Sequence, residues 1–140
     1  TYKPPKLPEK RVLGKNRACN EGLVAGECMN LGDVVYSCHK CFKLTLLYDG
    51  VLAVYTAFNT IRSHWSTDTA GKGITKACMQ IDGNFVLYTE NNDPIWSTAT
   101  DRFPGAYAEM QFDGQLAIWK DGQTKWQSGP SIECRTPSVE

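Results

Sequence analysis

Five side chains at alternate positions, Gln80, Asp82, Asn84, Val86 and Tyr88, bring an amide, a carboxylate, a second amide, an apolar spot and a phenol into one line. In an extended strand alternate side chains share a face. Ile81, Phe85 and Leu87 then share the opposite face, so one side of the stretch is suited to burial and the other to binding. A row of groups that donate and accept hydrogen bonds suits a small polyhydroxylated ligand. Solvent-facing strands are polar at alternate positions for no functional reason. Two amides, an acid and a phenol in successive outward places favour a site over that plainer reading.

The elements that must position this row are visible in an internal repeat. The stretch recurs around Leu47-Tyr48-Asp49-Gly50-Val51-Leu52-Ala53-Val54-Tyr55 and Gln111-Phe112-Asp113-Gly114-Gln115-Leu116-Ala117-Ile118-Trp119. The Asp-Gly pairs at 49, 82 and 113 are 33 and 31 residues apart, and the tryptophans that follow, Trp65, Trp96 and Trp126, are 31 and 30 apart. Asp-Gly within an alternating run signals a hairpin or bulge. A period near 30 residues holds roughly four short strands with tight turns. No stretch has a helical period long enough for a helix. The expected fold is all-β, with three four-stranded sheets packing their tryptophan and aliphatic faces about a pseudo-threefold axis. Residues 20 to 43 are expected to complete the first sheet. Three sheets are too few for a propeller, which closes around a channel with more blades.

A chain of 140 residues forms one domain with a real core. Its 15 basic and 15 acidic residues cancel, which argues against nucleic acid as a partner. Residues 1–17 are nonetheless basic, with six bases, one acid and three prolines, and residues 1–18 read as an extended N-terminal arm. The repeat domain spans 19–130 and a C-terminal tail 131–140, the tail fastened by Cys134. Six cysteines, Cys19, Cys28, Cys38, Cys41, Cys78 and Cys134, imply up to three disulfides and a secreted protein. Their pairing is open, since six cysteines allow 15 connectivities. No long apolar run is present, so membrane insertion is not expected, and the chain reads as a processed mature form.

At Gln80, Asp82, Asn84, Val86 and Tyr88 the chain resembles the bulb-type, snowdrop-like mannose-binding lectins, whose signature is Gln-x-Asp-x-Asn-x-Val-x-Tyr. The resemblance covers roughly residues 12 to 130 and implies a β-prism II fold without catalysis or cofactor. It assigns Asp82 and Asn84 to the axial 2-hydroxyl of mannose, Gln80 to the 3-hydroxyl, Tyr88 to the 4-hydroxyl and Val86 to the apolar ring edge. The partners it implies are mannose and high-mannose glycans or glycoproteins. The family's usual disulfide runs from a cysteine just after the motif Asp of the first repeat to one opening the second. Gly50 holds the former place and Cys78 the latter, so the framework here must differ.

The third copy keeps Gln111 and Asp113 but has Gln115, Ala117 and Trp119, which makes it a weak second site whose phenol donor is gone. The first copy keeps only Asp49 and Tyr55 and is expected not to bind. Trp65, Trp96 and Trp126 are expected in the core rather than under a sugar. Cys38-His39-Lys40-Cys41 lacks the second pair that a zinc site requires, so no metal is expected. Neither His39 nor His64 lies in a nucleophile motif, and no carboxylate pairing supports a glycosidase. The expected function is therefore a mannose-recognising lectin with one intact motif. Its affinity for a monosaccharide would be on the order of millimolar, about 4 kcal/mol, so avidity calls for a homodimer. The competing function is a protein of the same fold that works through protein contacts as a recognition or inhibitory module.

Overall fold

The computed structural model describes residues 22–134; the N-terminal arm, Cys19 and the tail beyond Cys134 lie outside the described residues. Three short strands come first, β1 (Gly22–Leu23), β2 (Cys28–Asn30) and β3 (Val34–Tyr36). Each repeat then supplies three more. These are β4 (Phe42–Leu46), β5 (Leu52–Thr56) and β6 (Trp65–Ser66), then β7 (Ile74–Met79), β8 (Phe85–Thr89) and β9 (Pro94–Ser97), and finally β10 (Tyr107–Met110), β11 (Leu116–Lys120) and β12 (Gln123–Gln127). They form three four-stranded antiparallel sheets, ordered β3-β4-β5-β6, β2-β7-β8-β9 and β1-β10-β11-β12. No helix among the described residues is long and apolar enough to cross a membrane.

The expected all-β architecture is therefore present, with one correction. Residues 22–36 do not all complete the first sheet; they give one strand to each sheet, starting with the third. Each repeat's own three strands leave β4, β7 or β10 as an edge with unpaired backbone groups, and an open edge is a liability. One short segment closes all three, turning at Gly26 and Gly32 with φ of 97° and 89°.

The three hairpins are built alike. The pairs Leu46 with Leu52, Met79 with Phe85 and Met110 with Leu116 close them, and all six side chains are buried. Burying side chains of this size stabilises the fold by about 1.5–3 kcal/mol each. On the pseudo-threefold axis the rings of Trp65, Trp96 and Trp126 meet edge to face, with centroids 5.5–5.7 Å apart. The tryptophans are thus half-buried and pack on one another and against the core, as their spacing implied.

Two disulfides join described residues. Cys28–Cys78 ties β2 to β7, and Cys41–Cys134 fastens the tail to the start of β4. Cys78 thus pairs with the N-terminal segment, and Cys38 and Cys41 are not bonded to each other, although Cys38 is also disulfide-bonded. Bridges closing separations of 50 and 93 residues constrain the unfolded chain by about 2–4 kcal/mol each. Beside the second bridge the Ile132 N–H donates to the Asp113 carbonyl at 2.6 Å.

Candidate functional site

Gln80 to Tyr88 is a tight hairpin rather than one continuous strand. The Gln80 N–H donates to the Asn84 carbonyl at 2.9 Å and the Gly83 N–H to the Gln80 carbonyl at 3.0 Å. Gly83 takes φ 96°, and a Cβ there would lie 2.8 Å from the Thr100 carbonyl oxygen, so only glycine fits. Asp82 accepts the Asn84 N–H on Oδ1 at 2.9 Å, closing the turn with its own side chain. The same backbone pair and the same carboxylate bond recur at Asp49 and Asp113. Asp-Gly is therefore required three times by the fold, whatever the site does.

This turn corrects two expectations. Ile81 was assigned to the buried face but sits on the turn and is 73% exposed. Strand alternation stops at the reversal and resumes at Phe85. Val86, expected as an outward apolar spot, is only 3% exposed, because it lies in the cross-sheet row of Cys28, Cys78 and Ser97.

The other four motif residues come together. Tyr88 donates its hydroxyl proton to Gln80 Oε1, and Gln80 Nε2 donates to Asp82 Oδ1 at 3.1 Å and Oδ2 at 3.3 Å. The β8–β9 register shifts between Leu87 and Tyr88, a bulge that re-aims the phenol. Burial and, second, the Asp82 charge push the Tyr88 phenol above its usual 10.0, so it stays neutral. Lys76 Nζ lies 5.7 Å from the Tyr88 ring centroid while donating to Asn92 Oδ1 at 2.7 Å, which gives the site a cationic rim.

Asn84 is oriented by two residues that the sequence pattern did not single out. The Thr100 N–H donates to Asn84 Oδ1 at 3.2 Å, and the Thr98 hydroxyl, 3.3 Å from the same oxygen, shares its one proton between it and Thr100 Oγ1. The amide nitrogen then faces away from both, with no protein partner among the described residues. Thr98 and Thr100 also bond each other at 2.7 Å, and Thr100 donates to the Gly83 carbonyl at 2.6 Å. Their signal was Thr-x-Thr after Trp-Ser, present after Trp65 and Trp96 but replaced by Ser128-Gly129-Pro130 after Trp126. The site thus offers a carboxylate acceptor, an amide donor and a phenol oxygen with a spare lone pair. Neighbouring hydroxyls that both give and take hydrogen bonds fit this set.

The third copy rebuilds much of the network with other residues. The Trp119 indole N–H donates to Gln111 Oε1 at 2.8 Å, and Gln111 Nε2 donates to Asp113 Oδ1 at 3.0 Å. The lost phenol donor is therefore replaced, from the same strand position and after the same register shift. The amide is not equivalent. Gln115 turns Nε2 onto Asp113 Oδ2 at 3.1 Å, is 6% exposed, and leaves Oε1 with no hydrogen-bond partner among the described residues. Pro130 stands where Thr100 stands and has no N–H to give. In the first copy, Leu47, Val51 and Ala53 leave Asp49 and Tyr55 without neighbouring amides.

His39 lies near Cys41 and Cys134, but both sulfurs are committed to their disulfide.

No family model matches the chain. A B-type lectin, plumieribetin from Scorpaena plumieri, is 26% identical over 99 residues, covering 69% of this chain and 84% of that protein. Among solved structures, a monomeric monocot mannose-binding lectin from Gastrodia elata superposes with a TM-score of 0.71 at 26% identity. It matches 81% of this chain and 100% of its own. The mannose-specific agglutinin of snowdrop, Galanthus nivalis, solved with methyl-α-D-mannoside, gives a TM-score of 0.62 at 26% identity over 81% of this chain and 100% of its own. The chain is similar to the bulb-type lectins and has their β-prism II fold.

Proposed function

We propose that this protein, built on the bulb-type lectin fold, is a non-catalytic lectin that recognises mannose or mannose-terminated glycans through Gln80, Asp82, Asn84 and Tyr88. The observation that carries this reading is the Asn84 amide. Thr98 and Thr100 engage its oxygen, which leaves its nitrogen as a donor with no protein partner among the described residues, two positions from the exposed Asp82 carboxylate. A sugar hydroxyl donating to one and accepting from the other satisfies both. A ligand without that hydroxyl leaves them unpaired, which costs about 1–3 kcal/mol. Val86 contributes packing beneath the site. That the Gastrodia elata lectin is mannose-binding and the snowdrop agglutinin mannose-specific supports the choice of sugar.

Disulfide-bonded cysteines fit an oxidising compartment, and we place the protein outside the cell. With one complete motif per chain, avidity for glycan surfaces comes from pairing two chains into a homodimer. Wild-type protein is expected to be retained on a mannan column and released by free mannose, and Asn84→Ala to flow through while still melting cooperatively, destabilised by about 1–3 kcal/mol for the acceptor that Thr98 and Thr100 lose. A wild type that is not retained replaces this reading with its competitor, a lectin-fold module that works through protein contacts. The first copy, which lacks both amides, is the observation favouring that competitor.

A further inference from the structure

The outward face of the third sheet differs from that of the second in one consistent direction. Three positions around the hairpin that carry Lys76, Ile81 and Tyr88 in the second copy carry Tyr107, Phe112 and Trp119 in the third. Each change is to an aromatic ring or to a larger one. The three rings line a cleft of about 870 Å3, with Gln111, Asp113 and Thr124 among its other walls. That volume lies within the range of about 300–1,000 Å3 typical of small-molecule sites.

The polar groups at the hairpin end of this cleft are committed inside the protein, while Lys120 and Asp121, 3.9 Å apart, stand with Thr124 and Gln127 on its far wall. Asp113 accepts from Gln111 Nε2, the Gln115 N–H and Gln115 Nε2, and the Gln111 oxygen is occupied by the Trp119 indole. Gln115 is withdrawn below the surface. At the hairpin, where the second copy presents its free amide, little remains to single out an individual hydroxyl, while the aromatic wall has grown.

We infer that the third sheet carries a second carbohydrate site, which takes a gluco-configured pyranoside by stacking on Trp119, Tyr107 and Phe112. A pyranose whose hydroxyls are all equatorial presents two faces of axial C–H bonds, and such a face packs on an aromatic ring. An axial 2-hydroxyl, as in mannose, interrupts one of those faces. The cleft has room for two linked rings, so a β-linked disaccharide fills it better than a monosaccharide. The inference goes beyond the proposed mannose site and uses none of its residues.

Trp119 makes the site observable by itself, because Trp65, Trp96 and Trp126 are half-buried and pack against one another, and none of them lines this cleft. Cellobiose is expected to change tryptophan emission saturably in the wild type and to bind at least tenfold more tightly than methyl-α-mannoside by that signal. Trp119→Phe should lose the emission change yet still bind cellobiose by calorimetry, and Tyr107→Ala should weaken cellobiose at least tenfold. Asn84→Ala should leave cellobiose untouched while removing mannose binding measured by calorimetry, so failure of either site is read separately. If a variant does not fold, as judged by its melting transition, the wild-type selectivity decides. The inference is overturned by the absence of a saturable cellobiose signal, by a signal that favours the mannoside, or by cellobiose binding lost in Asn84→Ala.

Discussion

On the inner faces of the three sheets one position holds one kind of residue three times. Leu52, Phe85 and Leu116 close the hairpins, Val54, Leu87 and Ile118 follow two residues later, and Trp65, Trp96 and Trp126 meet on the axis. On the outer faces the corresponding sets are Val51, Asn84 and Gln115, then Tyr55, Tyr88 and Trp119. The two sets alternate along the same strands, so neighbouring residues answer to different requirements. Packing at the axis depends on all three copies together, and substitution in one disturbs the others. An outer face is held by its own hairpin and the segment that follows it, as Asn84 is by Thr98 and Thr100, and shares no residue with the other two outer faces, which leaves each free to keep, alter or lose its chemistry.

The largest effect that tests this separation is Phe85→Ala, beside Asn84. Phe85 is fully buried, and its truncation should cost about 3–5 kcal/mol, measured as a lowered urea midpoint. Asn84→Ala, one residue away, should move the midpoint by less. Comparable losses from both would mean that the faces are not independent.

A smaller effect sharpens the comparison at the residues that serve both purposes. Asp49 and Asp82 close the same turn, accepting the N–H two residues on at 3.2 and 2.9 Å. Replacing either by Ala should cost about 0.5–1.5 kcal/mol for the lost hydrogen bond. Only Asp82→Ala should also abolish retention on mannan. Retention lost equally in Asp49→Ala would place sugar recognition on the first sheet as well.

Much of this was legible in the sequence because period-two alternation and Asp-Gly turn chemistry act locally. The repeat, the hairpins, the tryptophan core and the row Gln80, Asp82, Asn84 and Tyr88 all follow from neighbours in the chain. Ile81 was misplaced because alternation was carried through a turn that reverses the chain. The distribution of β1, β2 and β3 over three sheets was not legible, since two- and three-residue strands carry no periodicity and their pairing is set by whichever edge is open. Thr98 and Thr100 escaped notice because they reach Asn84 across 14 and 16 residues. Trp119 was read as a lost donor, although its indole N–H makes the bond that the Tyr88 hydroxyl makes, because residue type alone does not show which way a donor points.

The smallest expected effect concerns Tyr88, whose phenol stands where the third copy has Trp119. Burial first, and the Asp82 charge second, hold its ionisation above the usual value of 10.0. In the unfolded chain the phenol ionises near pH 10. Below that value both states are protonated and the group adds no pH dependence. As pH rises past it, the unfolded state releases the proton first, so the folded state binds more protons and stability falls until the folded phenol ionises too. The contribution is present below the unfolded value and lost as pH rises through the folded one. Tyr88→Phe should remove this increment of alkaline destabilisation, leaving a shallower loss of melting temperature above pH 10 than in the wild type. Trp119, at the equivalent position of the third copy, is an indole with no proton to lose in this range, so Trp119→Phe should leave the alkaline slope as it is. Equal slopes in the wild type and Tyr88→Phe would show that the phenol is not held neutral by its surroundings.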